Sequence, residues 1–97
     1  MSRLYVLVRS DLEPTYRMVQ GMHAVAAHCL ERPFYWDNET LVVCKVRTEA
    51  QLLNWIHKLE RMDMWYASFH EPDLDNQLTA IAVVDDSGLF KKLEVSK

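Results

Sequence analysis

Two glycines, three prolines and two cysteines are all that this 97-residue chain has of the residues that bend, break or staple a backbone. So few glycines leave no room for a phosphate-cradling glycine loop or a dinucleotide-binding fingerprint, and neither pattern occurs, so no cofactor is expected. Cys29 and Cys44 stand apart, one in a helical pattern and one in a strand pattern, which excludes a disulfide framework and a paired-cysteine metal site; both read as small buried hydrophobes. His23, His28, His57 and His70 lack metal-ligand spacing as well, and no bound metal is expected. No apolar run approaches the roughly 18 residues of a membrane span, and residues 1–9 lack the apolar stretch and cleavage site of a signal peptide, so the expectation is a cytoplasmic protein with no membrane partner. A basic excess is missing too. With 11 Lys and Arg against 14 Asp and Glu, the net charge of −3 shows no overall nucleic-acid-binding face and allows only a local patch.

What remains is an ordinary globular composition, 49% hydrophobic and 26% charged, in a chain of a size for one domain and one core. Residues 4–8 are apolar and β-branched and precede the polar Arg9-Ser10-Asp11, which reads as a buried first strand. From 15 to 31 the spacing of Val19, Met22, Ala26 and Cys29 predicts an amphipathic helix with that stripe on the core. Pro14 precedes it and Arg32-Pro33 ends it. Residues 41–46 read as a second strand, Thr48-Glu49-Ala50-Gln51 as a capping box, and Leu52, Ile56 and Leu59 as the core stripe of a second helix. Residues 64–69 and 78–84 complete the strands, the last apolar on both parities as in a central strand, before the turn Asp85-Asp86-Ser87-Gly88 and a C-terminal segment, 89–95. The order β-α-β-α-β-β predicts a single α/β domain over residues 1–97, with a mixed four-stranded sheet packed by helices and a parallel crossover between the first two strands.

Polar chemistry concentrates between residues 69 and 82, where His70, Glu71, Asp73, Asp75, Asn76, Gln77 and Thr79 interrupt two apolar runs. The strand end Val8-Arg9-Ser10-Asp11-Leu12, the helix segment Gln20-Gly21-Met22-His23-Ala24 and the acidic stretch leading to Thr79-Ala80-Ile81-Ala82 together resemble the type II peptidyl-tRNA hydrolases. That family opens with V-V-R-x-D-L, carries K-V-A-A-Q-C-S-H-A on its first helix and places D-A-G-R-T-Q-I-A-P-G-T-x-T before its last apolar strand. The resemblance matches Gln20 and His23 to the helix motif, Glu71 to the loop aspartate and Thr79 to the threonine opening the final strand. Three departures stand beside it: Tyr16 falls where the family has its helix lysine, leaving Arg17 as the nearest cation; Asp73-Leu74-Asp75-Asn76 replaces G-R-T; and the loop is shorter.

The resemblance implies hydrolysis of the ester between a peptide or acyl group and tRNA. Such a reaction needs an activated water, a donor for the developing oxyanion and a hold on the nucleotide end. His23 is the expected base, Glu71 its orienting carboxylate, and Thr79 the oxyanion or water-positioning group; Gln20, Arg17 and Asn76 are the expected substrate-binding residues. The implied partners are a tRNA acceptor end or a nucleotide-like ligand and, by the family's habit, a second copy in a homodimer. The alternative is a catalytically degenerate binding module of the same fold, holding a nucleotide-like ligand or a protein partner. Residue by residue the plain readings stay open: His23 as a helix residue bonded to a carbonyl, Asp73 and Asp75 as turn formers, Thr79 as a strand former. Phe34, Tyr35 and Trp36 read as a plug over the core in preference to a base-stacking platform, and Trp55 and Trp65 as packing residues. The cations Arg9, Arg17, Arg32, Lys45 and Arg47 in the first half, set against the acidic stretch, predict a dipolar surface.

Overall fold

The computed structural model describes residues 2–95. Its elements are β1 (Arg3–Arg9), α1 (Pro14–Glu31), β2 (Thr40–Val46), α2 (Glu49–Arg61), β3 (Ala67–Glu71), a single 3-10 turn (Pro72–Leu74), β4 (Gln77–Val84) and β5 (Glu94–Val95). The five strands form one mixed sheet in the order β3-β4-β1-β2-β5, with β1 and β2 parallel and the other neighbouring pairs antiparallel. The expected four strands thus become five, because Glu94 and Val95 pair with Lys45 and Cys44 at the edge. A two-residue strand leaves no periodicity to read.

Alternation along β1 sends Leu4, Val6 and Val8 to the α1 face and Leu7 to the α2 face, so each helix packs on its own side of the sheet. Leu52, Ile56 and Leu59 of α2 are buried on one face with Leu7, Ile81, Val83 and Phe90, as the spacing predicts. The start of α2 is capped from both sides: Thr48 Oγ1 accepts from Gln51 N at 3.2 Å, and Gln51 Oε1 accepts from Arg47 N at 2.7 Å. Residues Leu78 to Val83 of β4 are all buried, as befits a strand covered on both faces. β3 begins at Ala67 rather than at 64, since residues 62–64 are occupied in ending α2: Met64 N donates to Leu59 O, and Asp63 takes a left-handed φ of 57°.

The core stripe of α1 differs from the expected one. Gln20, Gly21, Ala24 and His28 are buried, while Met22 and Cys29 are exposed, so only Cys44 of the two cysteines is a buried hydrophobe. Close packing explains the rotation: a Cβ added at Gly21 would lie 3.1 Å from Val8 Cγ1, so α1 approaches β1 through its smallest residues. The larger Met18 and Met22 are displaced to the rim of an apolar groove of about 690 Å³ beside Leu41 and Val43 of β2. Among the described residues no helix is long and apolar enough to cross a membrane.

The far end of α1 holds a buried imidazole. His28 is fully buried between Trp65 and Tyr35, with ring centroids 4.7 and 6.0 Å away, and neither ring nitrogen has a hydrogen-bond partner. Trp65 therefore packs on α1 instead of lying in a strand, and Tyr35 closes the cluster while Phe34 is fully exposed. Burial first, and then the Arg32 cation, lower the His28 pKa. The unfolded chain consequently binds this proton more readily, so the contribution of His28 to stability is complete above ~6.5 and declines as the pH falls from there towards the lower folded value. His28→Leu is expected to raise the free energy of unfolding by about 1–2 kcal/mol at neutral pH, by removing unpaired buried polar atoms. Denaturant titrations should show the gap between variant and parent widening on acidification; a constant gap would contradict the assignment.

Candidate functional site

The site arises where the helix period meets the strand period. Residues three or four apart on α1 share a face, as do residues two apart on β3, and the two elements run past one another in opposite directions. Gln20 therefore meets Glu71, His23 meets Phe69, and His28 meets Trp65 just before the strand. Gln20, fully buried, donates from Nε2 to Glu71 Oε1 at 3.0 Å. His23 lies exposed one turn further on, its ring stacked on Phe69 at 4.2 Å between centroids and 7° between planes.

Thr79 joins this group through a bulge. Phe69 pairs with Ala80 and His70 with Leu78, so Thr79 is an extra residue in β4 and turns towards α1 along with Ala80. Its hydroxyl lies 2.7 Å from Gln20 Oε1 and 3.3 Å from Phe69 O, and it is fully buried. Strict alternation would have placed Thr79 on the α2 face. Next to the bulge, beyond the last β1–β4 pair at Val8 and Ala80, Leu78 N donates to Glu49 Oε2 at 2.8 Å and Leu78 O accepts from Arg9 Nη1 at 3.0 Å.

The three side chains form an ordered chain of donors. The Thr79 hydroxyl donates to the Gln20 carbonyl oxygen, and the Gln20 amide donates to Glu71, which fixes the orientation of that amide. Glu71 Oε2 also accepts from Asp73 N at 3.1 Å, capping the 3-10 turn. The Gln20 amide foremost, then the Asp73 N–H, hold the Glu71 carboxyl below its usual range, with the Tyr16 phenol and the His23 charge adding to the effect. Burial, followed by the facing Glu71 charge, raises the Tyr16 phenol in return. A carboxylate held in its ionised form is a weak base and a good partner for a cation. The groups available are therefore an exposed imidazole, that of His23, and an ionised carboxylate, that of Glu71.

Gln20, Glu71, Thr79 and His23 are thus brought to one place, with two roles altered from expectation. Among the described residues no hydrogen bond joins His23 to Glu71, so their coupling is electrostatic. Thr79, buried and bonded to Gln20, is placed to orient that amide and is turned away from solvent, which does not suit it to meet an oxyanion. Arg17 does not reach the group: its Nη2 donates to Ser10 O and Leu12 O at 3.1 and 3.2 Å, bracing the loop ahead of α1. Asn76 lies in the turn after the 3-10 segment with φ of 60°, next to Asp75 at 53°, and its N–H closes the turn onto Glu71 O; the left-handed pair is why both positions carry Asx residues. Tyr16 and Arg9 lie outside the expected set of site residues. Tyr16, which stands where the resembled family has its helix lysine, is one turn before Gln20 and faces Glu71. Arg9 clamps Asp11 through two bonds of 2.9 and 3.0 Å and Gln77 Oε1 at 2.9 Å, so the R-x-D spacing is the readable trace of a structural clamp. Among the described residues no three His, Cys, Asp or Glu side chains gather as for a metal ion.

No family model matches the chain, and no curated protein matches it. Among solved structures, a protein of unknown function from Agrobacterium tumefaciens strain C58 is similar, with a TM-score of 0.70 at 15% identity, over 99% of this chain and 98% of that one. The likeness is one of fold. It places the chain with small single-domain α/β proteins and carries no information about the chemistry of the site.

Proposed function

We propose that the chain hydrolyses the ester between a peptide or acyl group and tRNA, in the manner of the type II peptidyl-tRNA hydrolases that its motifs resemble. The observation that carries this reading is the convergence of the four motif-matched residues at the α1–β3 contact: Gln20 and His23 from the helix, Glu71 from the strand, and Thr79 through the bulge. In this reading the His23 imidazole takes a proton from a water as it attacks the ester carbonyl, and the imidazolium returns that proton to the ribose oxygen as the bond between it and the carbonyl carbon breaks. Glu71, kept ionised by Gln20 and the Asp73 N–H, stabilises the resulting imidazolium. Gln20 and Thr79 are positioning residues, and the ring of Phe69 fixes the plane of the imidazole.

Tyr16 favours the second reading, a binding module of the same fold without turnover, because an uncharged phenol faces Glu71 where the resembled family has a cation. One assay separates the two. Purified protein is incubated with an N-blocked aminoacyl-tRNA, and release of the blocked amino acid is followed by acid precipitation. Release well above the protein-free rate, with multiple turnovers, is the expected result; tRNA binding without release assigns the module instead. A homodimer, the remaining part of the proposal, has the apolar groove between α1 and β2 open to it.

A further inference from the structure

On the opposite face from the Gln20 site, Lys45 and Arg47 of β2 and its end, Lys58 and Arg61 of α2, and Lys92 from the segment before β5 line a single cleft of about 680 Å³. Five of the 11 Lys and Arg of an acidic chain are gathered there with one carboxylate, Glu94. That carboxylate pairs with Lys45 at 3.2 Å, and among the described residues Arg47, Lys58, Arg61 and Lys92 make no ion pair. Like charges repel, and a folding chain gains nothing by collecting them around one hollow. Lys58 and Arg61 alone would be explained by the C-terminal dipole of α2, but Arg47 and Lys92 come from other elements. The sequence reading of a dipolar surface is replaced by this local one, since Arg9 and Arg17 are bound internally.

We infer that this cleft is a binding site for the phosphate backbone of a single-stranded polynucleotide. Four unpaired cations on three elements exceed what one phosphate requires and match a run of them. Trp55 lies in the same cleft, packed on Phe90 at 5.0 Å with Lys58 Nζ 5.0 Å from its ring, and the Asn54 amide, with the Gln51 Nε2 group whose Oε1 caps α2, is able to bond base edges. A membrane headgroup layer fits less well, because the cations line a recess, whereas a flat headgroup layer is met by a projecting face. The inference goes beyond the hydrolase reading and does not need it, as the site lies on α2 and its test uses a ligand without an ester.

Fluorescence anisotropy of an end-labelled single-stranded RNA of about a dozen nucleotides provides the test. Four phosphate contacts imply that affinity falls about 50-fold between roughly 50 mM and 200 mM salt. The exposed pair K58Q and R61Q, combined in one variant that melts with the parent, should reduce that loss to about 7-fold. Inorganic pyrophosphate and poly-glutamate, each at matched charge, should leave the RNA bound. Three outcomes would overturn the inference: no salt-dependent binding by the parent, an unchanged salt dependence in the variant, or full displacement by either competitor. Displacement by pyrophosphate would assign a free-phosphate site, and displacement by poly-glutamate an acidic-peptide site.

Discussion

Arg9→Leu is expected to lower the free energy of unfolding by about 2–3 kcal/mol, a fall of about 10–20 °C in melting temperature for a domain of this size. The Arg9 side chain is 8% exposed, and its guanidinium is the donor to Asp11, Gln77 and the Leu78 carbonyl at once. Leucine fills the space of the stem but leaves the Leu78 carbonyl and the Gln77 amide oxygen without that donor. Removing one member of a fully buried ion pair costs about 3–5 kcal/mol, but Asp11 remains 40% exposed, and water can solvate it once it is orphaned. The lower range follows. The Arg9 hydrogen bond, ahead of its charge, holds the Asp11 carboxyl below the ordinary value. That part of the stability is complete above ~3.9 and is lost as the pH falls through the lower folded value. Thermal melts of parent and variant at neutral pH measure the main effect; a change of only a few degrees would mean that the clamp is ornamental to the fold.

Gln20→Leu is the second large effect, and it acts on both stability and turnover. Leucine is close in volume to glutamine, so packing against the sheet is kept while the link between Thr79 and Glu71 is cut. The buried Thr79 hydroxyl is left with the longer contact to Phe69 O, and the variant is expected to lose about 2–3 kcal/mol of stability. Glu71 loses the principal group that holds its pKa down and the 3.0 Å hydrogen bond that ties it to Gln20 of α1. If Glu71 supports His23 in ester hydrolysis as proposed, its displacement by about 1 Å is expected to cost about 100-fold in rate. Rates measured well below the melting temperature of the variant separate this loss from unfolding. A variant that is destabilised but turns over like the parent would assign Gln20 to the core alone.

Much of the fold was legible because burial follows period. The α2 stripe, the capping box at Thr48 and the doubly covered β4 each have a sequence signature that no neighbouring element contradicts. The α1 stripe was misread because tight packing at Gly21 and the buried polar pair Gln20 and His28 override the apolar pattern, driving Met22 and Cys29 outward. β5 and the start of β3 depend on turn geometry and on pairing with distant strands, neither of which is local. For the site, Gln20, His23, Glu71 and Thr79 were readable as a motif. Their arrangement was not, because it depends on a bulge that inverts the parity of Thr79. Arg17 and Asn76 were plausible by residue type, yet their groups serve the backbone of the loops that carry them. The basic cleft is invisible in the composition of an acidic chain, since its cations are drawn from positions 45 to 92.

The most direct test is a double-substitution cycle on the hydrolysis of N-blocked aminoacyl-tRNA, using His23→Ala, Glu71→Gln and the two combined. If His23 takes the proton and Glu71 acts through it, His23→Ala slows the reaction by about 100- to 10,000-fold, and adding Glu71→Gln slows it no further. A parent protein that releases no amino acid, or a His23→Ala variant that keeps the parent rate, would contradict the account.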